Sequence, residues 1–182
     1  MEKAIETLKN GGVILYPTDT IWGIGCDATN EAACQKISQI KNRPDNKSFI
    51  ILVDSIQMIE KYIPEFPDVC YDLVDLADKP LTIIYPNAKG LSPSILADDG
   101  SVGIRVTKDP ICLKLIRSMR KPLVSTSANL SGEANPSCFA DVNQQIKDQV
   151  DAIVMEKLDV KNNVASQIIK IGLDYSIQVI RK

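Results

Sequence analysis

Residues 13–28 read Val13-Ile14-Leu15-Tyr16-Pro17-Thr18-Asp19-Thr20-Ile21-Trp22-Gly23-Ile24-Gly25-Cys26-Asp27-Ala28, and how they are parsed decides the fold. Val13–Tyr16 is apolar, follows Gly11-Gly12 and stops at Pro17, as a short buried strand does. Gly23-x-Gly25-x-x-Ala28 has the spacing of a dinucleotide-binding fingerprint. That motif needs a strand directly before its glycines and a helix opening on them. Here Pro17–Trp22 intervenes after the strand, and the next helix start comes only at Asn30-Glu31. The glycines are therefore expected to let the backbone turn tightly beside a pocket. No G-x-x-x-x-G-K-[ST] occurs either, so a phosphate-binding P-loop is excluded.

Strands and helices alternate on both sides of this stretch. Asn30 followed by Glu31 predicts a helix start with an acid in its first turn, and Ala33, Ile37 and Ile40 share one face. The helix should end before Pro44, which puts Lys41 and Arg43 at its exit. Residues 49–53 read as the next buried strand, followed by helices at about 56–62 and 67–78, the second carrying Val69, Leu73 and Leu76 on one face. Leu81–Tyr85 and Val102–Val106 read as strands. Pro110 starts a helix with Leu113, Ile116 and Met119. Leu123–Ser125 is a short strand running into the polar stretch 126–132. A helix near 138–147 and strands near 151–155, 166–171 and 177–181 complete the chain. The late strands follow one another closely, which predicts an α/β sheet of mixed direction.

The chain has 182 residues, 45% hydrophobic and 24% charged, with a formal charge of −2. It reads as one soluble domain over 1–182. An acidic balance argues against a broad nucleic-acid-coating surface. The start, Met1-Glu2-Lys3-Ala4-Ile5-Glu6, has no apolar leader region, and no run approaches the ~20 apolar residues of a membrane span. The expectation is a cytoplasmic protein without a membrane partner. Five scattered cysteines with no C-x-x-C read as reduced, packed thiols. There is no histidine. This removes Ser-His and Cys-His nucleophile pairs and every histidine-containing zinc site. Chemistry must run on Lys, Arg, carboxylates, hydroxyls, amides and bound ions.

Two polar clusters stand out. Lys41-x-Arg43 has a plain reading, because cations at a helix C-terminus offset the macrodipole. It also has a functional one as an anion site, with Arg a planar fork, Lys a point charge, and Lys47 a third cation nearby. Ser125-Thr126-Ser127-Ala128-Asn129 likewise reads either as ordinary turn chemistry or as a ligand loop. Its place at the end of a buried strand favours the ligand loop, since ligands in open α/β sheets gather at the strands' carboxyl ends. Pro17-Thr18-Asp19-Thr20 follows the first strand in the same way.

These stretches together resemble the YrdC/TsaC family of threonylcarbamoyl-AMP synthases. Pro17 to Gly25 is similar to its P-T-[ED]-T-x-[YW]-G-[LI]-G signature, Lys41-Asn42-Arg43-Pro44 to its K-x-R-P, and Val102-Gly103-Ile104-Arg105-Val106 to its arginine-bearing strand. Pro122 to Gly132 resembles its S-x-N turn, Ala165 to Ile169 its late P-S-T element, and Val179-Ile180-Arg181 its closing L-R. The matches run in family order over nearly the whole chain and stop near the end of the short, single-domain form. The sequence departs from the family at Trp22, where tyrosine is commoner, at Lys47-Ser48, at Thr107, and at Leu52, where many relatives carry a histidine.

The resemblance implies a twisted open sheet of parallel and antiparallel strands, with flanking helices, around a large cavity. It implies that ATP, L-threonine and bicarbonate, with Mg²⁺, give threonylcarbamoyl-AMP and pyrophosphate. The product would feed the t6A modification of tRNA at position 37 through a separate transferase machinery, with at most a weak contact to tRNA here. By motif, Lys41, Arg43, Ser127 and Asn129 correspond to the family's nucleotide-site tetrad. Lys47, Ser101, Asn135 and Arg181 align with further ATP contacts, and Thr20, Arg105, Ser125 and Ser166 with positions that hold threonine. Two other readings share the fold: a paralogue with different or weak adenylating activity, and a non-catalytic RNA-binding module. The retained K-x-R and S-A-N residues argue against the first. The acidic charge and 5% aromatic content argue against the second.

Overall fold

The computed structural model describes residues 1–42, 49–158 and 165–182. Among these residues nine strands form one sheet: β1 Ile14–Tyr16, β2 Gly23–Gly25, β3 Ile50–Val53, β4 Leu81–Tyr85, β5 Val102–Val106, β6 Leu123–Ser127, β7 Ala152–Ile153, β8 Gln167–Ile171 and β9 Ile177–Arg181. Their spatial order is β7-β1-β2-β6-β3-β5-β4-β8-β9. The pairs β1/β7, β3/β5 and β4/β8 are parallel and the rest antiparallel, so the sheet is mixed, as the closely spaced late strands predict. Among the described residues six α-helices accompany it: α1 Glu2–Lys9, α2 Glu31–Ile40, α3 Ile56–Glu60, α4 Val69–Asp75, α5 Pro110–Met119 and α6 Gln144–Gln149. Helices α1 and α5 pack together, α5 against β3 and β6, and α1 against β1 and β7. No helix among the described residues is long and apolar enough to cross a membrane.

The expected tight turn at Gly23–Gly25 is instead strand β2, inserted antiparallel between β1 and β6. The glycines serve close approach. The Tyr16 ring lies over β2, and its hydroxyl donates to the Val124 carbonyl of β6 at 3.0 Å. A Cβ on Gly25 would stand 2.3 Å from Val124 O and 2.7 Å from the Tyr16 ring. Glycine thus leaves room for one aromatic side chain to tie β1 to β6 across the strand between them.

Helix α2 begins as expected: the Asn30 side chain accepts from Ala33 N–H at 3.1 Å, and Ala33, Ile37 and Ile40 are buried, joined by Cys34. Elsewhere the predicted faces shift. In α5 the buried residues are Ile111, Cys112, Leu115 and Ile116, whereas Leu113 and Met119 are only partly covered. Helix α4 stops at Asp75, and Leu76 is 78% exposed. The helix expected near 138–147 divides into a 3₁₀ turn, Phe139–Asp141, and α6, because the Asn143 side chain caps Gln145 N–H at 2.9 Å and starts a new helix. Strand β6 runs on to Ser127, and β7 is only two residues long. All five cysteines are free thiols and four are buried.

Asp109 fixes the entry of α5. It accepts from Ile111 N–H at 2.9 Å and Cys112 N–H at 3.0 Å, and pairs with Lys157 at 2.6 Å while its own side chain is 2% exposed. Asp109→Ala is expected to lose about 2–4 kcal/mol, because the cap and an ion pair whose carboxylate is buried go together. A urea titration checks this. A loss within the ordinary scatter of surface substitutions, about 0.5 kcal/mol, would show that the cap contributes little.

Candidate functional site

One register of the sheet lines a cavity. Gly23 faces Ser127 across β2/β6, Ser125 faces Ile50 across β6/β3, and Ile50 faces Gly103, which faces Ile84. Beyond these, Thr82 is opposite Ile168, and Ile168 opposite Arg181. Side chains two residues apart share a face of a strand, so this register gathers Ser125, Ser127, Thr82, Ile84, Arg105 and Arg181 onto one surface. The cavity above it is about 320 Å³, and Thr20, Thr126, Asn135 and Ser166 also line it. At its floor Gly103 is enclosed: a Cβ there would meet Thr82 Cγ2 at 3.2 Å and Ile50 Cγ1 at 3.3 Å.

Arg105 enters from β5 with its side chain 4% exposed. Its Nη2 lies 3.2 Å from Asp19 Oδ1, its Nη1 donates to Thr20 Oγ1 at 3.4 Å, and its Nε has no hydrogen-bond partner among the described residues. Arg181, on the edge strand, is anchored by Ser166: its Nε donates to the Ser166 carbonyl at 2.9 Å and its Nη2 to the hydroxyl at 3.3 Å. Burial, and then the charge of Arg105, lower the Arg181 pKa from its usual value. Two guanidiniums facing one cavity, with a ring of hydroxyls, form a site for anionic oxygens.

Lys41 caps α2 and is 2% exposed. Its ammonium donates to the carbonyls of Ser127 and, at 2.6 Å, Asn129, with Asn129 Oδ1 at 3.4 Å. The lysine therefore reaches across to the end of β6, and the plain helix-end reading does not describe it. Ser127 Oγ donates to Asn129 Oδ1, and Asn129 Nδ2 donates to the Glu133 carbonyl at 2.6 Å. Lys41, Ser127 and Asn129 thus form one knot at the cavity wall, with Ser127 presented to the cavity.

The structure brings Thr20, Arg105, Ser125, Ser127, Asn135, Ser166 and Arg181 to this one cavity, with Lys41 and Asn129 directly behind Ser127. It does not bring Ser101 there. That residue is buried beside Asp99, to which its N–H donates at 3.0 Å, and Lys170 and Ser101 together hold the Asp99 carboxyl down at about 2. Arg43 and Lys47 lie outside the described residues. Two contributors were not singled out from sequence. Asp19 stands between the two threonines of the P-T-D-T stretch. Thr82 is the one aliphatic hydroxyl of strand β4, fully buried and 2.9 Å from Ser166 Oγ. Its polarity inside a run otherwise made of Leu, Ile and Tyr was the available signal.

The sequence model of the Sua5/YciO/YrdC family, described as telomere recombination, matches residues 6–182. The chain belongs to this family. A curated threonylcarbamoyl-AMP synthase of Psychromonas ingrahamii is 39% identical over 81% of this chain and 78% of the relative. Among solved structures, P. abyssi Sua5 complexed with L-threonine superposes with a TM-score of 0.81 at 25% identity, covering 92% of this chain. This chain spans about half the length of that protein, 49%. Escherichia coli YciO superposes with a TM-score of 0.81 at 25% identity, over 98% of this chain and 86% of that one. The open mixed sheet is thus the Sua5/YciO/YrdC architecture.

Among the described residues no three of Asp, Glu and Cys cluster as a metal site. The groups at the cavity are guanidiniums, hydroxyls and amides, which suit anions rather than a hard cation. Among the described residues, those at the cavity do not form a resident Mg²⁺ site.

Proposed function

We infer that this chain is an L-threonylcarbamoyladenylate synthase, a nucleotidyltransferase joining L-threonine, bicarbonate and ATP into threonylcarbamoyl-AMP with release of pyrophosphate. The observation that carries the reading is the single cavity holding Arg105, Arg181 and the Thr20, Ser125, Ser127 and Ser166 hydroxyls, in a chain 39% identical to a curated synthase.

Threonine's amine takes up bicarbonate with loss of water, giving a carbamate. A carbamate oxygen attacks the α-phosphorus of ATP, a P–O bond forms, and the bond to the β-phosphate oxygen breaks to release pyrophosphate. No nucleophilic side chain is needed, so the protein lowers the barrier by positioning and by neutralising charge. Arg105 takes the threonine carboxylate, with Thr20, Ser125 and Ser166 around it. Arg181 and Asn135 take phosphate or ribose oxygens, and Ser127 and Asn129, held by Lys41, orient the reacting end. Arg43 and Lys47 are assigned to phosphate on sequence grounds alone. Mg²⁺ enters as the counter-ion of the substrate's phosphates. On this reading the protein works in the cytoplasm and hands its product to a tRNA-modifying threonylcarbamoyl transferase.

Pyrophosphate release with single omissions tests this. Release should need ATP, threonine and bicarbonate together and fall to background when any one is left out. Equal release without threonine, or without bicarbonate, sinks the reading.

A further inference from the structure

The loop that carries Asp19 is closed by its own hydrogen bonds, but the Asp19 side chain is not enclosed by it. Thr18 Oγ1 donates to the Ile21 carbonyl at 2.8 Å and accepts from Thr20 N–H at 3.0 Å and Ile21 N–H at 3.2 Å, which closes a tight hydroxyl-centred turn. Thr18 and Thr20 are buried, whereas the Asp19 side chain retains 28% exposure. Its carboxylate can therefore rotate without moving the backbone that fixes Thr20 in the cavity.

The contact that Asp19 makes with Arg105 is incomplete. One oxygen meets one nitrogen at 3.2 Å, the second guanidinium contact is a 3.4 Å bond to a neutral hydroxyl, and Nε is unpaired among the described residues. A guanidinium that is nearly fully buried is best satisfied by two parallel N–H···O bonds to one carboxylate. Arg105 thus has a counter-ion but not its best one. Asp19 also lines a second cavity of about 220 Å³, together with Val106, Pro80, the exposed Asp78 and the two exposed lysines Lys79 and Lys108, whose two positive charges outweigh the one of Asp78. Arg105 lines the first cavity and Asp19 the second, so the ion pair forms part of the wall between them.

We propose that Asp19 is a built-in competitor: it neutralises Arg105 while the cavity is empty and gives way to the α-carboxylate of the amino-acid substrate, turning toward Lys79 and Lys108. The proposal rests on the assignment of Arg105 to that carboxylate. It explains how a cavity with two guanidiniums is held without substrate, since an unpaired buried charge is costly. It also sets the working range for the amino acid, because an arginine occupied most of the time by its own chain lowers apparent affinity in proportion to the free fraction. Occupancy of about nine-tenths would weaken substrate binding about tenfold.

Calorimetric titration with L-threonine and with L-threoninol, which lacks the carboxylate, tests this on the wild-type chain and on Asp19→Asn and Asp19→Ala. Both variants should bind threonine about threefold to tenfold tighter, threoninol affinity should not change, and KM for threonine should fall without a rise in kcat. The double variant Lys79→Met/Lys108→Met changes only exposed side chains and removes the resting place of the displaced carboxylate, so it should bind threonine more weakly. Threonine affinity that is unchanged or weaker in the folded Asp19 variants overturns the proposal, as does unchanged affinity in the double-lysine variant. A wild-type chain that binds no threonine overturns the Arg105 assignment as well. If instead wild type binds threonine, Arg105→Met abolishes binding, and the Asp19 variants gain nothing, only the competitor is lost.

Discussion

Lys41→Met is expected to lose both stability and activity, and by more than removal of any exposed cation. The side chain is 2% exposed and its ammonium bonds the Ser127 and Asn129 carbonyls, which belong to the end of β6 and the turn that follows. Methionine keeps the length and volume of the stem but leaves those carbonyls without this donor. A buried acceptor stripped of its partner costs about 1–3 kcal/mol, offset in part because a charged group no longer has to be buried. The expected net loss is about 2–4 kcal/mol in a urea titration. Activity should fall further than folding explains. The Ser127 hydroxyl and the Asn129 amide are aimed by the same knot, and a displacement of about 1 Å at a reacting centre costs on the order of 100-fold. Pyrophosphate release measured well below the melting transition should therefore drop by about that factor. Lys41→Arg should not rescue it, because a planar fork does not place one donor between two converging carbonyls as an ammonium does. A Met variant with wild-type stability and turnover would show that the knot is held by other contacts.

The same lysine shows what sequence could and could not convey. Its place at the exit of α2 was legible, because the Asn30 cap and the spacing of Ala33, Ile37 and Ile40 fix the helix from local chemistry alone. Its partners were not. They lie more than eighty residues away, on a strand whose neighbour in the sheet depends on the whole topology. Apolar runs located β1, β3, β4 and β5 to within a residue or so, and the crowding of late strands gave the mixed direction. The buried face of α5 was misjudged because Leu113, Ile116 and Met119 step along a line that leaves the sheet, whereas Ile111, Cys112, Leu115 and Ile116 repeat about the true contact. Helix α1 is not legible, since Met1 offers no side-chain cap and only two positions, Ala4 and Leu8, are buried. For the site, Arg105 and the hydroxyls of β6 were found through motif and position. Thr82 is visible as a site residue only once β4 lies beside β8 and Ser166, and Asp19 only through its ion pair with Arg105.

Gly25→Ala is the sharpest test of that last point, because the strand that sequence reads as a turn owes its place to what glycine lacks. Strand propensity disfavours Gly-Ile-Gly, and no local signal favours extension there. The segment is a strand because β1 and β6 hold it on both sides and the Tyr16 ring covers it. A methyl on Gly25 would stand 2.3 Å from the Val124 carbonyl and 2.7 Å from that ring, so either a backbone or a fully buried tyrosine must move. Moving the ring also threatens its bond to Val124 O, which ties β1 to β6. Overpacking of this kind, together with the lost hydrogen bond, should cost about 3–5 kcal/mol. Gly23→Ala, two residues away on the same strand, meets Thr126 O and the same ring only at 3.5 Å. It should cost less than about 1 kcal/mol, an ordinary van der Waals adjustment. The two urea midpoints should therefore separate widely although propensity treats the glycines alike. If the two variants lose equal stability, the close approach of Gly25 to Val124 O and the Tyr16 ring is not what demands glycine there, since the lower entropy of the unfolded chain would by itself stabilise both alanine variants.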